Sequence, residues 1–299
     1  MTTTITLYTS EPPHKMDRIT AAFTKLNPEI EVEVFRAPTG ELKSKIEAEA
    51  LAGKIKADVL LAADAPTFER YKQQGRLLKY RPADARLLHR DLVDPDGFYV
   101  ATRIIPTVIC YNTNAGVLAP RSWKALAEAR FFNRIAIASP RISAASAHNT
   151  TVWYETPRLG RQWLEALSAN QPRVAYSNSW VGELVAAGLC EVGIVTDHVA
   201  RELVARGASI GISYPSEGSP FVTQPVAIVG TTQVADAAKL FVNFLLSQEG
   251  QQIAAEQHYL PVRPDVQPLT GFPGIKLLPP YSRPHTAIRI DRKEHALAS

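Results

Sequence analysis

Two hydrophobic periods alternate through the first hundred residues. Residues 5–9 form a short β-rich run, and 16–26 set Ile19, Ala22, Phe23 and Leu26 at helical spacing. Residues 32–35 alternate apolar and charged side chains, as a half-buried strand does. Thr39 reads as the N-cap of a helix whose Leu42, Ile46 and Ala50 share one face. Residues 59–63 are a continuous apolar run suited to a central parallel strand. Residues 65–74 read as a helix that Gly75 stops. This β-α-β-α-β-α order predicts an α/β lobe built on a parallel sheet.

A loop-rich stretch around Pro82 and 94–97 leads into a long extended segment, 99–111, with Pro106 inside it. Proline donates nothing to a ladder, so the strand is expected to break there and cross between two lobes. A second α/β pattern follows: strands at 135–138, 192–195 and 210–213, and helices at 147–154, 159–168, 181–187 and 199–206. A strand at 226–229 carries the chain back, and helices at 236–246 and 248–257 end the compact part. The proline-rich tail beyond Pro268 is expected to wrap the surface. Two α/β lobes joined by extended crossings imply a hinge and a cleft.

Composition narrows the classes. The chain has 299 residues, room for two domains, with 45% hydrophobic and 21% charged residues, as in folded globular proteins. The net charge of +4 comes from basic residues spread along the chain, so the dense Lys/Arg footprint of a nucleic-acid binder is missing. A mild positive bias helps attract an anion. No apolar run approaches the roughly 18 residues that span a bilayer. The start, MTTTITLYTS, has no charged segment followed by an apolar one. The expectation is that Met1 stands in place of a removed signal sequence, with a cytosolic protein as the alternative. Cys110 and Cys190 lie in the apolar segments VICYN and LCEVGIV, as two buried thiols or one disulfide.

Common enzyme signatures are absent: there is no nucleophile elbow, Walker A loop, dinucleotide-binding glycine motif or HExxH. The seven histidines, among them His14 and His198, show no ligand spacing. Small polar residues do gather where strands end and helices begin, the edge at which open α/β sheets bind ligands. Four loops qualify: Thr9-Ser10-Glu11, Pro38-Thr39-Gly40, Ala62-Ala63-Asp64, and the hydroxyl-rich SAASAHNTT from Ser143 to Thr151. Taken singly, each reads as capping or turn chemistry. Their shared topological position points to a binding cleft, and helix N-termini there suit phosphate or carboxylate.

The segments LYTSEPPHKMDRITAAFTKLNPEIEVEVFR, EAEALAGKIKADVLLAADAPTFERYKQQGRL, IIPTVICYNTN, PRSWKALAEARFFNRIAIASP and FLLSQEGQQIAAEQHYLPVRPDV, in this order, resemble group 1 bacterial extracellular solute-binding proteins. The resemblance covers roughly residues 5 to 266 and is nearest the branch of ferric-ion-binding proteins with phosphate-ester- and phosphonate-binding relatives. It implies an α/β fold of the type II periplasmic-binding class, with lobe one from 1–105 and 225–268, lobe two from 106–224, and the tail, 269–299, packing on lobe two. It also implies the substrate-binding component of an ABC importer, monomeric and periplasmic, that closes on a small anionic ligand and presents it to a membrane permease. No cofactor, nucleic-acid partner or reaction is implied.

The branch sets the expected ligand. Where ferric-binding members carry adjacent tyrosines after the strand reading GIVT, this chain has Asp197-His198. Relatives that bind phosphorylated sugars or aminoalkyl phosphonates hold the phosphorus group with hydroxyls and helix N-termini, a role that would fall to Thr9, Ser10, Thr39, Gly40, Ser143 and Ser146. Acidic groups hold hydroxyls or an amine, a role for Asp197, His198 and Glu217. Asp64 opens the third loop's helix. Arg103 could pair with an anion or form a surface salt bridge. Trp180 and Trp153 could pack on the ligand or belong to the core. Ferric iron is the second candidate ligand. An enzyme on the same fold, or a transcription-factor effector domain, is the alternative from another class.

Overall fold

In the computed structural model the described residues are 2–116, 118–269, 275–278 and 289–290. They divide into two compact units, one made of Met1–Ile104 and Thr223–Leu269, the other of Ile105–Val222 joined by residues of the tail.

In the first unit, strands β1 (Thr3–Thr9), β2 (Ile30–Arg36) and β3 (Val59–Leu61) run parallel in the order β2-β1-β3. Strand β9 (Ser219–Ile228) pairs antiparallel with β3 through residues 226–228. Helix α1 (Pro13–Leu26) buries Met16, Ile19 and Phe23. Phe23 packs edge-on against Phe241 at 5.0 Å and lies 5.6 Å from Phe244, both on α8 (Ala235–Leu246). Such ring pairs add about 0.5–1.5 kcal/mol beyond the area they bury. Helices α2 (Thr39–Leu51) and α3 (Ala65–Gln73) cover a second apolar cluster that holds Leu42, Ile46, Phe68 and Tyr71. Gly75, at φ +67°, takes the left-handed turn after α3. Helix α9 (Gln248–Glu256) is capped by Ser247, whose hydroxyl accepts from Gly250 N.

The second unit has the strand order β8-β4-β7-β5-β6. Strands β5 (Ile135–Ala138), β6 (Arg173–Ala175) and β7 (Val192–Thr196) are mutually parallel, while β4 (Val100–Asn112) runs antiparallel to β7 and to β8 (Ile210–Ser213). One face packs on α4 (Ala144–Glu155) and α5 (Gly160–Ala169) through Trp123, Trp153 and Trp163, with ring centroids 4.9 and 5.3 Å apart. The other packs on α6 (Asn178–Ala186) and α7 (Asp197–Ala205). Gly193 is required there, because a Cβ would lie within 3 Å of Val181, Cys110 and Val185.

Several expectations change. The extended segment does not break at Pro106: β4 is continuous over thirteen residues, and what changes across Pro106 is its partner. Arg103 and Ile104 pair with β10 (Leu260–Pro261), and Thr107 to Tyr111 pair with β7. Proline costs a ladder only one N–H, which a change of partner absorbs. Strand β6 escapes the periodicity because it has three residues and Val174 is exposed. Cys110 and Cys190 are both free and buried, and burial pushes the Cys110 thiol up to about 12. Most of the proline-rich tail lies outside the described residues. Within it, β11 (Ile275–Leu278) pairs with β12 (Arg289–Ile290) and with Ser219 and Pro220 of β9.

Candidate functional site

The parallel strands of the first unit end at Thr9, Arg36 and Leu61, and three of the four nominated loops leave from these ends. The loops are tied together: Ala37 N donates to Thr9 O (3.2 Å), Ser10 N to Leu61 O (3.4 Å), and Lys43 Nζ to Asp64 Oδ2 (2.9 Å). Thr9 is buried, and its Oγ1 accepts from Glu11 N (3.0 Å). Thr39 is the first helical residue rather than the cap. Pro38 holds the cap position and offers no side-chain acceptor, so no side chain caps α2. A Cβ added at Gly40 would meet nothing within 4 Å, so this helix start is open. Asp64 is a cap: its carboxylate accepts from Thr67 N (3.3 Å) and Thr67 Oγ1 (2.9 Å) besides Lys43.

Arg103 is not at the surface. It is 1% exposed, and its guanidinium pairs with Glu11 (3.3 Å) and stacks over the Tyr259 ring at 4.6 Å. Glu11 also accepts from Tyr259 OH (2.5 Å) and from Gln224 Nε2 (2.9 Å). Burial, then the adjacent Glu11 carboxylate, hold the Tyr259 phenol well above its ordinary value, so it stays a neutral donor.

The second unit has a corresponding edge, where β5, β6 and β7 end and α4, α6 and α7 begin. Ser143 caps α4, accepting from Ser146 N (3.2 Å), and also accepts from Asn178 Nδ2 (3.2 Å) at the start of α6. Ser146 is buried and donates to Ala138 O (2.6 Å), fixing α4 to the end of β5. Ser177 caps α6 by accepting from Trp180 N, while the Trp180 indole is exposed. Trp153 belongs to the core.

Asp197 is the first residue of α7, and Thr196 holds the cap position. The carboxylate is 1% exposed and accepts two bonds from Arg201 Nε (3.0 Å each) and one from Tyr214 OH (2.6 Å). Burial pushes this carboxyl upward against the pull of Arg201 and Tyr214. His198, beside it, is half-buried. Glu217 lies in the turn after β8, where it accepts from Ser122 Oγ (2.6 Å), Trp123 N (3.2 Å) and Lys124 N (3.3 Å). Burial raises its pKa, but these bonds outweigh burial and hold the carboxyl below its ordinary value.

Sequence reasoning missed Glu11 as a charged centre, with Gln224 and Tyr259 as its partners, and missed Arg201, Tyr214 and Asn178. It also missed Asn149, whose Nδ2 donates to Thr107 Oγ1 (2.9 Å) where Thr107 faces Thr196 across the β4–β7 ladder. Of these, only Asp197–Arg201 had a visible signal, opposite charges four residues apart at a helix start. Among the described residues no group of three or more His, Cys, Asp or Glu side chains could hold a metal ion.

The architecture, an α/β chain with polar loops at the C-terminal ends of its parallel strands, is that of the periplasmic binding proteins. Iron-bound HitA from Pseudomonas aeruginosa superposes with a TM-score of 0.80 at 21% identity, covering 90% of each chain. AfuA from Actinobacillus pleuropneumoniae, solved with fructose-6-phosphate, gives 0.81 at 21% identity over 90% of this chain and 88% of that one. The profile of the bacterial extracellular solute-binding proteins matches residues 5–260, and the chain belongs to that family. As a member of it, the chain is an extracellular solute-binding protein.

Among curated relatives, the Salmonella typhimurium putative 2-aminoethylphosphonate-binding periplasmic protein is 25% identical over 71% of this chain and 64% of its own length. Iron uptake protein A1 of Synechocystis is 23% identical over 85% of this chain and 74% of its own length. The family is extracellular, and no helix among the described residues is long and apolar enough to cross a membrane.

Proposed function

We propose that the protein captures a small anionic solute, a phosphorylated or phosphonate metabolite, in the periplasm and hands it to the permease without chemical change. The observation that carries this reading is the state of the carboxylates at the strand ends. Glu11 is matched by Arg103, Asp64 by Lys43 and its own cap, Asp197 by Arg201 and Tyr214, and Glu217 by backbone N–H groups. A cation would have to displace a resident arginine or lysine to gain Glu11, Asp64 or Asp197, and the Ser122 and backbone N–H bonds to gain Glu217. An anion needs N–H and O–H donors, and the open start of α2 at Thr39 and Gly40 supplies them, with the helix dipole adding its partial positive charge. The hydroxyls of Ser10 and Ser143, and the exposed Trp180 ring, are the other groups we assign to the ligand. The units are expected to close on the bound solute, the loaded form being the one the permease recognises.

Ferric iron is the second reading, favoured by the likeness to iron-bound HitA and to iron uptake protein A1 of Synechocystis. It would enlist Asp197 and His198, which stand where ferric-binding members have tyrosines. Thermal denaturation against a panel separates the two. A native-state ligand at a hundredfold excess over its Kd stabilises by about 2.7 kcal/mol. The expected result is a raised Tm with one or more phosphate esters or phosphonates and none with ferric citrate. A raised Tm with ferric citrate, accompanied by iron that stays with the protein through gel filtration, would establish the second reading instead.

A further inference from the structure

We propose that Glu11 is a positioning residue that fixes the first unit's end of two of the three chain crossings, those after Ile104 and Val222, and so sets where these two bend. The chain passes between the units three times, after Ile104, after Val222 and after Leu269, the last leading into residues outside those described. The carboxylate of Glu11, 2% exposed, holds a side chain next to each of the first two passages: Arg103 by an ion pair of 3.3 Å and Gln224 by a hydrogen bond of 2.9 Å. Its other oxygen accepts from Tyr259 OH, in the turn after α9. The two passages are further stitched together inside the first unit. Thr102 Oγ1 donates to Gln224 O (2.8 Å), Gln251 Nε2 donates to Thr102 O (2.8 Å), and Leu260 and Pro261 pair with Ile104 and Arg103.

In the second unit the first crossing is fixed from Thr107 onward, by register with Thr196 and by the bond from Asn149. The second crossing is fixed as far as Gly218, whose carbonyl accepts from Trp123 Nε1 (2.8 Å), and at Ser219 and Pro220 by pairing with β11. Between these anchors lie Ile105 and Pro106 on one passage and residues 221–223 on the other. Pro106 has no N–H to bind a neighbour and a φ locked by its ring, so any bending on its passage falls to the other torsions. These two passages therefore share one charged clamp at their first-unit end. Glu11 has no need to touch the ligand for this. The clamp determines which backbone torsions absorb the movement that the proposed capture requires, and the inference rests on that reading of the protein as one whose units move.

The test uses the whole ligand-free chain. Spin labels at Leu51→Cys and Leu189→Cys, one exposed site on each unit, report the distribution of distances between the units. Hydrogen exchange reports the crossings themselves. For Glu11→Gln we expect amides in 100–104 and 224–228 to exchange roughly tenfold faster, those in 135–155 to be unchanged, and the distance distribution to broaden. Should Glu11→Gln fail to fold, the double variant Glu11→Met with Arg103→Met removes the pair without leaving a buried charge, and the same broadening is expected. Faster exchange with an unchanged distribution would reduce Glu11 to local packing and overturn the proposal. Unchanged exchange would overturn the clamp as well. Because no ligand is present, neither result depends on what the protein carries.

Discussion

Each unit buries one carboxylate just past the end of a parallel strand, Glu11 after β1 and Asp197 after β7, and each gives it an arginine and a tyrosine hydroxyl. The clusters match in chemistry and differ in how far along the chain their partners lie. Asp197 takes Arg201 from four residues away and Tyr214 from seventeen. Glu11 takes Gln224 from 213 residues away and Tyr259 from 248. The first can form once α7 and the turn after β8 are in place. The second needs the end of the first unit brought back to its first strand, and so closes a long loop. A local cluster shapes one helix start, whereas a distant one holds separate chain passages in register.

If that contrast is right, Glu11→Ala is the most damaging of the substitutions that follow. It leaves Arg103, 1% exposed, without its counter-charge, which costs about 3–5 kcal/mol, read as a lower urea midpoint. Asp197→Ala strips Arg201 of its partner in the same way, but that side chain keeps 11% exposure and has water within reach. A smaller loss of about 2–3 kcal/mol is expected. Equal losses would erase the distinction between the two clusters.

Removing only the hydroxyls sharpens the comparison without disturbing charge. Tyr259→Phe and Tyr214→Phe should each cost about 1–2 kcal/mol in the same titration. The Tyr259 variant should also speed exchange in 100–104, and the Tyr214 variant should leave those amides alone.

Glu217 supplies the smallest effect and a control of a different kind, since backbone N–H groups rather than an arginine hold it. Its folded pKa lies below the unfolded value, so its contribution is present above the unfolded pKa and is lost as pH falls through the folded one. Glu217→Gln should therefore cost about 1 kcal/mol at neutral pH and nothing once wild-type Glu217 is protonated. A gap that persisted in acid would mean packing, not charge, is what Glu217 contributes.

The alternation of periods 2 and 3.6 made nearly every long element legible, because burying one face of a helix or strand leaves that mark in the sequence. The capping roles of Asp64 and Ser143 were legible for the same local reason, a polar oxygen three residues before the N–H it accepts from. At Thr39 the rule misfired, since Pro38, at φ −53° and ψ 148°, took the cap position. Pro106 misled differently: its missing N–H falls where β4 exchanges partners, so the strand runs on. Glu11 showed no local pattern, because nothing near residue 11 hints at Arg103, Gln224 or Tyr259. The same holds for Glu217, which looked available for a ligand until Ser122 and the N–H groups of Trp123 and Lys124 were found around it.

The central claim is that the protein carries an anion, and elemental analysis after equilibrium dialysis addresses it most directly. Protein stripped by unfolding and refolding is dialysed against 2-aminoethylphosphonate, fructose 6-phosphate and ferric citrate together, then assayed for phosphorus and iron per chain. The account predicts one phosphorus atom per chain and no iron. One iron per chain with no phosphorus would contradict it.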